Sequence, residues 1–91
     1  MKKITTAVDR IVARIAGERA LEEYRAFQSW NEIVGDVIAA VAVPVKVVKG
    51  VLFISVKNST WRQELMMQKP EILNKFASRF GPDIIKDIRL H

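Results

Sequence analysis

The spacing of apolar residues predicts helices at the start of the chain. Residues 1–17 carry an apolar stripe at helical spacing, formed by Ile4, Val8, Ile11, Val12 and Ile15. Residues 18–42 continue the helical period as one longer helix, which Pro44 ends because proline has no N–H to donate. We expect the first stripe to pack on the common core. A partly detached basic arm and a dimer contact are the alternatives.

A β-hairpin is predicted after Pro44. Residues 45–48 and 51–57 are rich in β-branched side chains, and Lys49-Gly50 separates them. In the second strand Leu52, Ile54 and Val56 alternate toward the core. Phe53 faces the other way, so it is either covered by the first helix or exposed for binding.

The rest of the chain predicts two short helices and a last strand. Thr60 with Gln63 three residues later suggests a capping box, and Ser59 is the competing cap. Pro70 should break the helical pattern into two helices, because proline is tolerated mainly in the first turn. Gly81-Pro82 ends the second helix, and residues 84–90 form the strand.

This order predicts an α+β fold with a three-stranded sheet packed by helices. Apart from the first helix, α-β-β-α-α-β is the order of a type II KH domain. We therefore expect one KH-like domain over residues 1–91, with an N-terminal amphipathic helix at 1–17 and the core at 18–91. The standard KH mode of RNA binding uses a Gly-x-x-Gly loop, but residues 67–71 contain no glycine.

Four residues are predicted to be structural anchors: Trp30, Gly35, Trp61 and Leu65. We interpret Gly35 as a close packing contact between backbones, because glycine weakens a helix interior. For Trp61 the alternative is stacking on a base next to Arg62. Met66 and Met67 are interpreted as flexible core filling, and exposure of one of the two is the alternative.

Composition argues against an enzyme. The chain has 91 residues with no cysteine and one histidine, His91, which argues against thiol chemistry, a histidine triad and a Cys or His metal site. Glu32 and Asp36 are four residues apart but lack a catalytic partner, so we read them as a solvated helix face. No catalytic residue, cofactor or metal is predicted. Without a membrane-length apolar run or a signal sequence, we expect a cytoplasmic protein.

The net charge of +5 is distributed unevenly. Residues 1–19 carry +3 (five bases, two acids), residues 20–42 carry −3 (one base, four acids), and the remainder carries +5 (nine bases, four acids). The basic charge of the chain indicates a polyanion partner, and the one acidic helix is compatible with a protein partner on another side. The predicted nucleic-acid-binding residues are Lys46, Lys49, Lys57, Arg62, Lys69, Lys86 and Arg89.

An ordered set of short motifs resembles a known bacterial family. The set comprises Trp30-Asn-Glu-Ile-Val-Gly35, Pro44, Gly50-Val-Leu-Phe-Ile-Ser-Val56, Ser59-Thr-Trp-Arg-Gln-Glu-Leu65, Ile72-Leu73, Gly81 and Ile85–Leu90. Over about residues 8–90 the sequence is similar to the family of DciA, the loader or operator of the replicative helicase. The resemblance implies a KH-like domain, contact with a DnaB-type helicase and affinity for DNA.

Together these features predict a non-enzymatic adaptor that binds the DNA backbone, single- or double-stranded, without sequence preference. A replicative helicase is the expected protein partner. The alternatives are a protein-interaction or homodimerisation module without physiological DNA binding, and a KH-like RNA-binding protein. No membrane partner is expected. Many members of the family add a disordered extension or a zinc ribbon, and this sequence contains neither.

Overall fold

The structure of the protein is a computed structural model that describes residues 7, 10, 11, 14 and 17–91. Its elements in chain order are the helices α1 (Glu18–Gln28), α2 (Trp30–Val34) and α3 (Asp36–Val41), the strands β1 (Ala42–Val48) and β2 (Val51–Val56), the helix α4 (Ser59–Phe80) and the strand β3 (Asp87–Leu90). Most of the predicted N-terminal stripe, and its expected packing, lies outside the described residues. No helix in the described part combines the length and apolarity needed to cross a bilayer.

The three strands form one mixed sheet in the order β1-β2-β3. The predicted hairpin is confirmed: β1 and β2 pair antiparallel, and β2 pairs parallel with β3. Both turn residues have positive φ, 50° at Lys49 and 83° at Gly50, which a two-residue hairpin turn of the type I′ class requires. The carbonyl of Gly50 accepts the Lys86 N–H at 2.7 Å, so the turn also holds the chain as it returns toward β3.

The strand β1 is irregular along the sheet edge. Its pairing with β2 shifts between Pro44 and Lys46, which leaves Val45 as an extra residue in the ladder. Pro44 therefore lies inside an edge strand, where a missing N–H is tolerated. The helix that the sequence predicts to end at this proline has already ended at Val41.

The core lies between one face of the sheet and the helices. As predicted, Leu52, Ile54 and Val56 of β2 are buried on this face. The helices α1, α2 and α4 supply the opposing side chains, which are Ala26, Trp30, Ile33, Leu65, Ile72 and Phe76. Ile85 and Ile88 close the core from the end of the chain. This arrangement confirms an α+β fold with helices packed on a three-stranded sheet.

The single helix predicted over residues 18–42 is wrong, because the structure has three helices there. Ser29 separates α1 from α2, and Gly35 separates α2 from α3. Gly35 has φ 90° and ψ 167°, a region that essentially only glycine occupies. A Cβ added at Gly35 would meet no atom within 4 Å. The glycine thus serves the backbone turn, and its interpretation as a packing contact is wrong.

The break predicted at Pro70 is also wrong. Helix α4 runs continuously over Ser59–Phe80 with Pro70 inside it. A proline there removes one helical hydrogen bond, but Pro70 and Met66 are exposed, so water can reach the freed carbonyl of Met66. Leu65 before the proline and Ile72 and Phe76 after it are buried in the same core. This packing on both sides of Pro70 outweighs the local preference for a break.

Two helix and strand boundaries differ from the prediction as well. Asn58, rather than Thr60 or Ser59, caps α4, since its side-chain oxygen accepts the Trp61 N–H at 2.8 Å. The last strand covers only Asp87–Leu90, and the preceding residues form a turn. Ile85 is nevertheless buried just before the strand, so the apolar pattern there reflects core packing outside the sheet.

Candidate nucleic-acid interface

A cation, an aromatic ring and a second cation lie in one row across the sheet. In the strand register Lys46 of β1 is opposite Phe53 of β2, and Phe53 is opposite Arg89 of β3. Residues directly opposite on neighbouring strands project from the same face. This is the face opposite to the buried Leu52 and Ile54, and we call it the outer face. With strands about 4.8 Å apart, the row spans roughly 10 Å.

The side chains of the row are in contact with one another and accessible to solvent. The Lys46 Nζ lies 5.0 Å from the centre of the Phe53 ring, within the range of a cation–π interaction. The ring of His91 meets Phe53 edge-on, with 6.4 Å between ring centres. Lys46 and Arg89 are exposed, and Phe53 is half-buried. Phe53 is thus held in place and bordered by positive charge.

The other predicted cations lie at the two ends of the sheet instead of in one cluster. Lys49 is in the hairpin turn, and the side chain of Lys86 lies beside Gly50 at the same end. Lys57 follows the last residue of β2, and Arg62 is in the first turns of α4, so both lie at the opposite end. Lys49 and Arg62 therefore do not lie together, because the length of β2 separates them.

Asp87 engages two of the predicted cations. The Lys69 Nζ lies 3.0 Å from one oxygen of Asp87, and the Arg89 Nε lies 3.6 Å from the other. The hydrogen bond from Lys69 is the main reason that the pKa of Asp87 lies below its ordinary value of 3.8. Asp87 therefore stays ionised near neutral pH. Lys69 is held by this ion pair, whereas Arg89 keeps a largely exposed side chain beside Phe53.

The predicted anchors differ in how deeply they are buried. Trp30 is 1% exposed, stacks on Phe76 with 6.3 Å between ring centres, and donates its indole N–H to the Ala42 carbonyl at 2.9 Å. Leu65 is also buried, so both residues lie in the core. Trp61 packs only partly against the core. It is a weaker anchor than the sequence suggests.

A second surface feature is an apolar groove beside the start of α4. It has a volume of about 430 Å³ and is lined by Ser59, Arg62, Gln63, Met66, Met67 and Leu90, and we call it the methionine groove. Met66 and Met67 are 58% and 74% exposed, so the expectation that they fill the core is wrong. The Nε–H of Arg62 is buried and finds no acceptor among the described residues. The groove thus combines exposed thioethers with a cationic side chain that forms no ion pair within the described part of the chain.

The pattern of burial along α4 explains why Met66 and Met67 are exposed rather than in the core. The buried residues Leu65, Ile72 and Phe76 are spaced by seven and four positions, which defines one face of the helix. Met66 and Met67 directly follow Leu65 and turn away from that face.

The row on the outer face could not be predicted from the sequence, because its three strand positions are far apart along the chain and become neighbours only after the strands pair.

The sequence matches the family described as "Dna[CI] antecedent, DciA" over residues 3–90. The chain belongs to the DciA family. A relative, a UPF0232 protein of Rhodococcus jostii (strain RHA1), is 34% identical over 61 residues, which cover 67% of this chain and 32% of that protein. A UPF0232 protein of Mycobacterium leprae (strain TN) is 29% identical over 68 residues, covering 75% of this chain and 36% of the relative.

The family match covers nearly the whole chain, but the chain aligns with only part of each relative. A UPF0232 protein of Mycobacterium tuberculosis (strain ATCC 25618 / H37Rv) is 28% identical over 61 residues, again 67% of this chain and 33% of the relative. The chain spans about a third of the length of these curated relatives. The common unit includes the sheet, so the outer face belongs to the part shared with the DciA family.

Proposed function

We propose that this chain is a non-enzymatic adaptor related to the DciA helicase loader, and that it binds DNA and contacts the replicative helicase. Family membership over residues 3–90 carries the proposal. It is supported by the net charge of +5 and by the exposed cations of the outer face. A soluble adaptor of this kind would work in the cytoplasm, where replication takes place.

The proposed KH-like character of the domain has partial support. A three-stranded sheet with helices on one face agrees with it, and so does the order of the two helical and three extended regions from residue 18 onward. The paired helices of a KH domain correspond here to the single helix α4. Residues 67–71 lie inside this helix rather than in a loop, which disfavours the RNA-binding alternative.

For DNA, we propose that the backbone phosphates bind to cations on and around the outer face. Lys46 and Arg89 lie at its centre, and Lys49, Lys57 and Lys86 lie at its two ends. Among the described residues none of these four lysines has a carboxylate within 4 Å, so they are available to phosphates. Contacts of this type are independent of sequence.

Replacing the two central cations should reduce the salt dependence of DNA binding. About three to five phosphate contacts give a slope near −3 to −4 for log K against log salt on duplex DNA, with Kd about 10⁻⁴ to 10⁻⁶ M at physiological salt. The double variant Lys46→Gln with Arg89→Gln should flatten this slope by roughly 2 and weaken binding to all sequences alike. Fluorescence anisotropy of a labelled duplex over a salt series measures both quantities.

The matched control is Lys75→Gln with Arg79→Gln. Both residues are exposed on α4, on the helical side of the sheet, and their loss changes the net charge equally. The control should keep the slope of the unaltered protein. Equal flattening by the two double variants would mean that only the total charge matters, and it would contradict a DNA site on the outer face.

For the helicase, we propose the methionine groove as the contact surface. Exposed methionines adapt to irregular apolar partners, and the positive charge of Arg62 in the lining of the groove favours a partner segment that brings a carboxylate. This feature also supports the alternative of a protein-interaction module without DNA binding. The occupant is expected to combine apolar side chains with an acidic residue.

Met67→Asp should abolish binding of the replicative helicase from the same cell and leave DNA affinity unchanged. Met67 is 74% exposed, so the substitution places a charge in the groove without a cost to the core. Pull-down of the purified helicase by the two forms of the protein, with Lys75→Asp as the control, measures the effect. Undiminished helicase binding by Met67→Asp would rule out the groove as the contact.

A further inference from the structure

We propose that Phe53 is a stacking platform for an unpaired base, so that the outer face binds single-stranded DNA in preference to duplex. This inference rests on the proposed DNA binding and names the form of DNA for that site. It follows from the row formed by Lys46, Phe53 and Arg89.

The position of Phe53 is unusual for an aromatic residue in a strand. The core face of β2 is filled by Leu52, Ile54 and Val56, whereas Phe53 projects from the opposite face, where α1, α2 and α4 do not pack. Its ring makes a cation–π contact with Lys46 and an edge-on contact with His91. A ring in this setting adds little to the core and offers a π-surface to a ligand.

The two cations of the row make a nucleic acid the occupant that fits. Aromatic side chains that stack on bases, next to cations that hold the backbone, are the common device of proteins that bind single strands. Lys46 is opposite Phe53 on β1, with its ammonium over the ring, and Arg89 is opposite Phe53 on β3. A base could stack on Phe53 while its neighbouring phosphates meet the two cations. The exposed Val43 and Val48 extend the apolar surface on the β1 side of the row.

The same geometry separates single strands from duplex DNA. Bases of a duplex are stacked inside the helix and expose only their edges in the grooves, so they cannot lie flat on a ring at the protein surface. A duplex can therefore use the cations but not Phe53. A single strand can use all three side chains, because its bases are free to unstack.

The test compares three probes of equal length: single-stranded dT15, an abasic 15-mer with the same phosphates but no bases, and a 15-base-pair duplex. The unaltered protein should bind dT15 more tightly than the abasic strand. Phe53→Leu should weaken binding of dT15 by roughly 5- to 100-fold, the range for loss of one stacked base. It should leave the abasic strand, the duplex and the salt slope unchanged.

Phe53→Tyr is the companion variant, because it keeps the aromatic ring and should keep the affinity for dT15. Thermal melting of both variants establishes that they fold. Equal binding of dT15 and the abasic strand by the unaltered protein would overturn the proposal, and this comparison needs no variant. Unchanged dT15 affinity in folded Phe53→Leu would also overturn it.

Failure of this inference is distinguishable from failure of the proposed DNA binding. If Phe53→Leu has no effect but Lys46→Gln with Arg89→Gln flattens the salt slope, the outer face binds phosphates without stacking. If the unaltered protein binds none of the three probes at low salt, both the stacking platform and the DNA-binding function are wrong.

Discussion

Trp30→Ala is expected to lower the free energy of unfolding by about 3–5 kcal/mol, the range for deleting a large buried aromatic side chain. Trp30 is 1% exposed, and its ring stacks on Phe76 between α2 and α4. Its indole N–H also donates to the Ala42 carbonyl at the start of β1. One side chain thus connects two helices and the sheet, and its loss removes a large part of the roughly 5–15 kcal/mol that stabilises a typical domain.

Urea unfolding followed by circular dichroism measures this effect. Trp30→Phe separates the two contributions, since it keeps an aromatic ring but leaves the Ala42 carbonyl without its donor, at a cost of about 1–3 kcal/mol. Trp61→Ala is the control, and it should cost less because Trp61 is only partly buried. Equal losses at the two tryptophans would contradict the difference in burial between them.

Gly35→Ala is expected to destabilise the protein by about 1–3 kcal/mol through the backbone alone. Gly35 has φ 90° and ψ 167° at the junction of α2 and α3, where an L-residue with a Cβ is strained. No atom lies within 4 Å of an added Cβ, so a steric clash makes no contribution. Chemical denaturation of the purified variant measures the loss of stability.

A chemically synthesised chain with D-alanine at position 35 supplies the control. D-Alanine adds the same methyl group but favours positive φ, so it should retain most of the stability of the glycine chain. If the D-alanine and L-alanine chains are destabilised equally, the methyl group itself is responsible and the backbone explanation is wrong.

Prediction from the sequence succeeded for the hairpin and failed at one glycine and one proline. Periodicity correctly located the hairpin and its buried positions, because alternation in a strand is a local property. Local rules predict a continuous helix through Gly35 and a helix break at Pro70, and both predictions are wrong. Gly35 ends a helix that the apolar pattern continues, whereas Pro70 lies in a helix that core contacts on both sides keep continuous.

The positions of the candidate site residues also depend on contacts between distant parts of the chain. The residue types at Lys46, Phe53 and Arg89 could be noted in the sequence, but their common row requires the parallel pairing of β2 with β3. The residues that join these strands include the whole of α4, so no short-range pattern reports the register. Non-local contacts also remove residues from a predicted site. Lys69 is one of the predicted nucleic-acid-binding cations, but in the structure it forms an ion pair with Asp87.

The irregular edge strand β1 affects how copies of this protein behave at high concentration. A regular sheet edge offers a row of unpaired N–H and C=O groups to which another strand can add, and such edges promote aggregation. In β1 the proline removes one donor and the extra residue Val45 disturbs the spacing of the others. Growth of the sheet from one molecule into the next is thereby disfavoured at this edge, even though Val43 and Val45 expose apolar surface there.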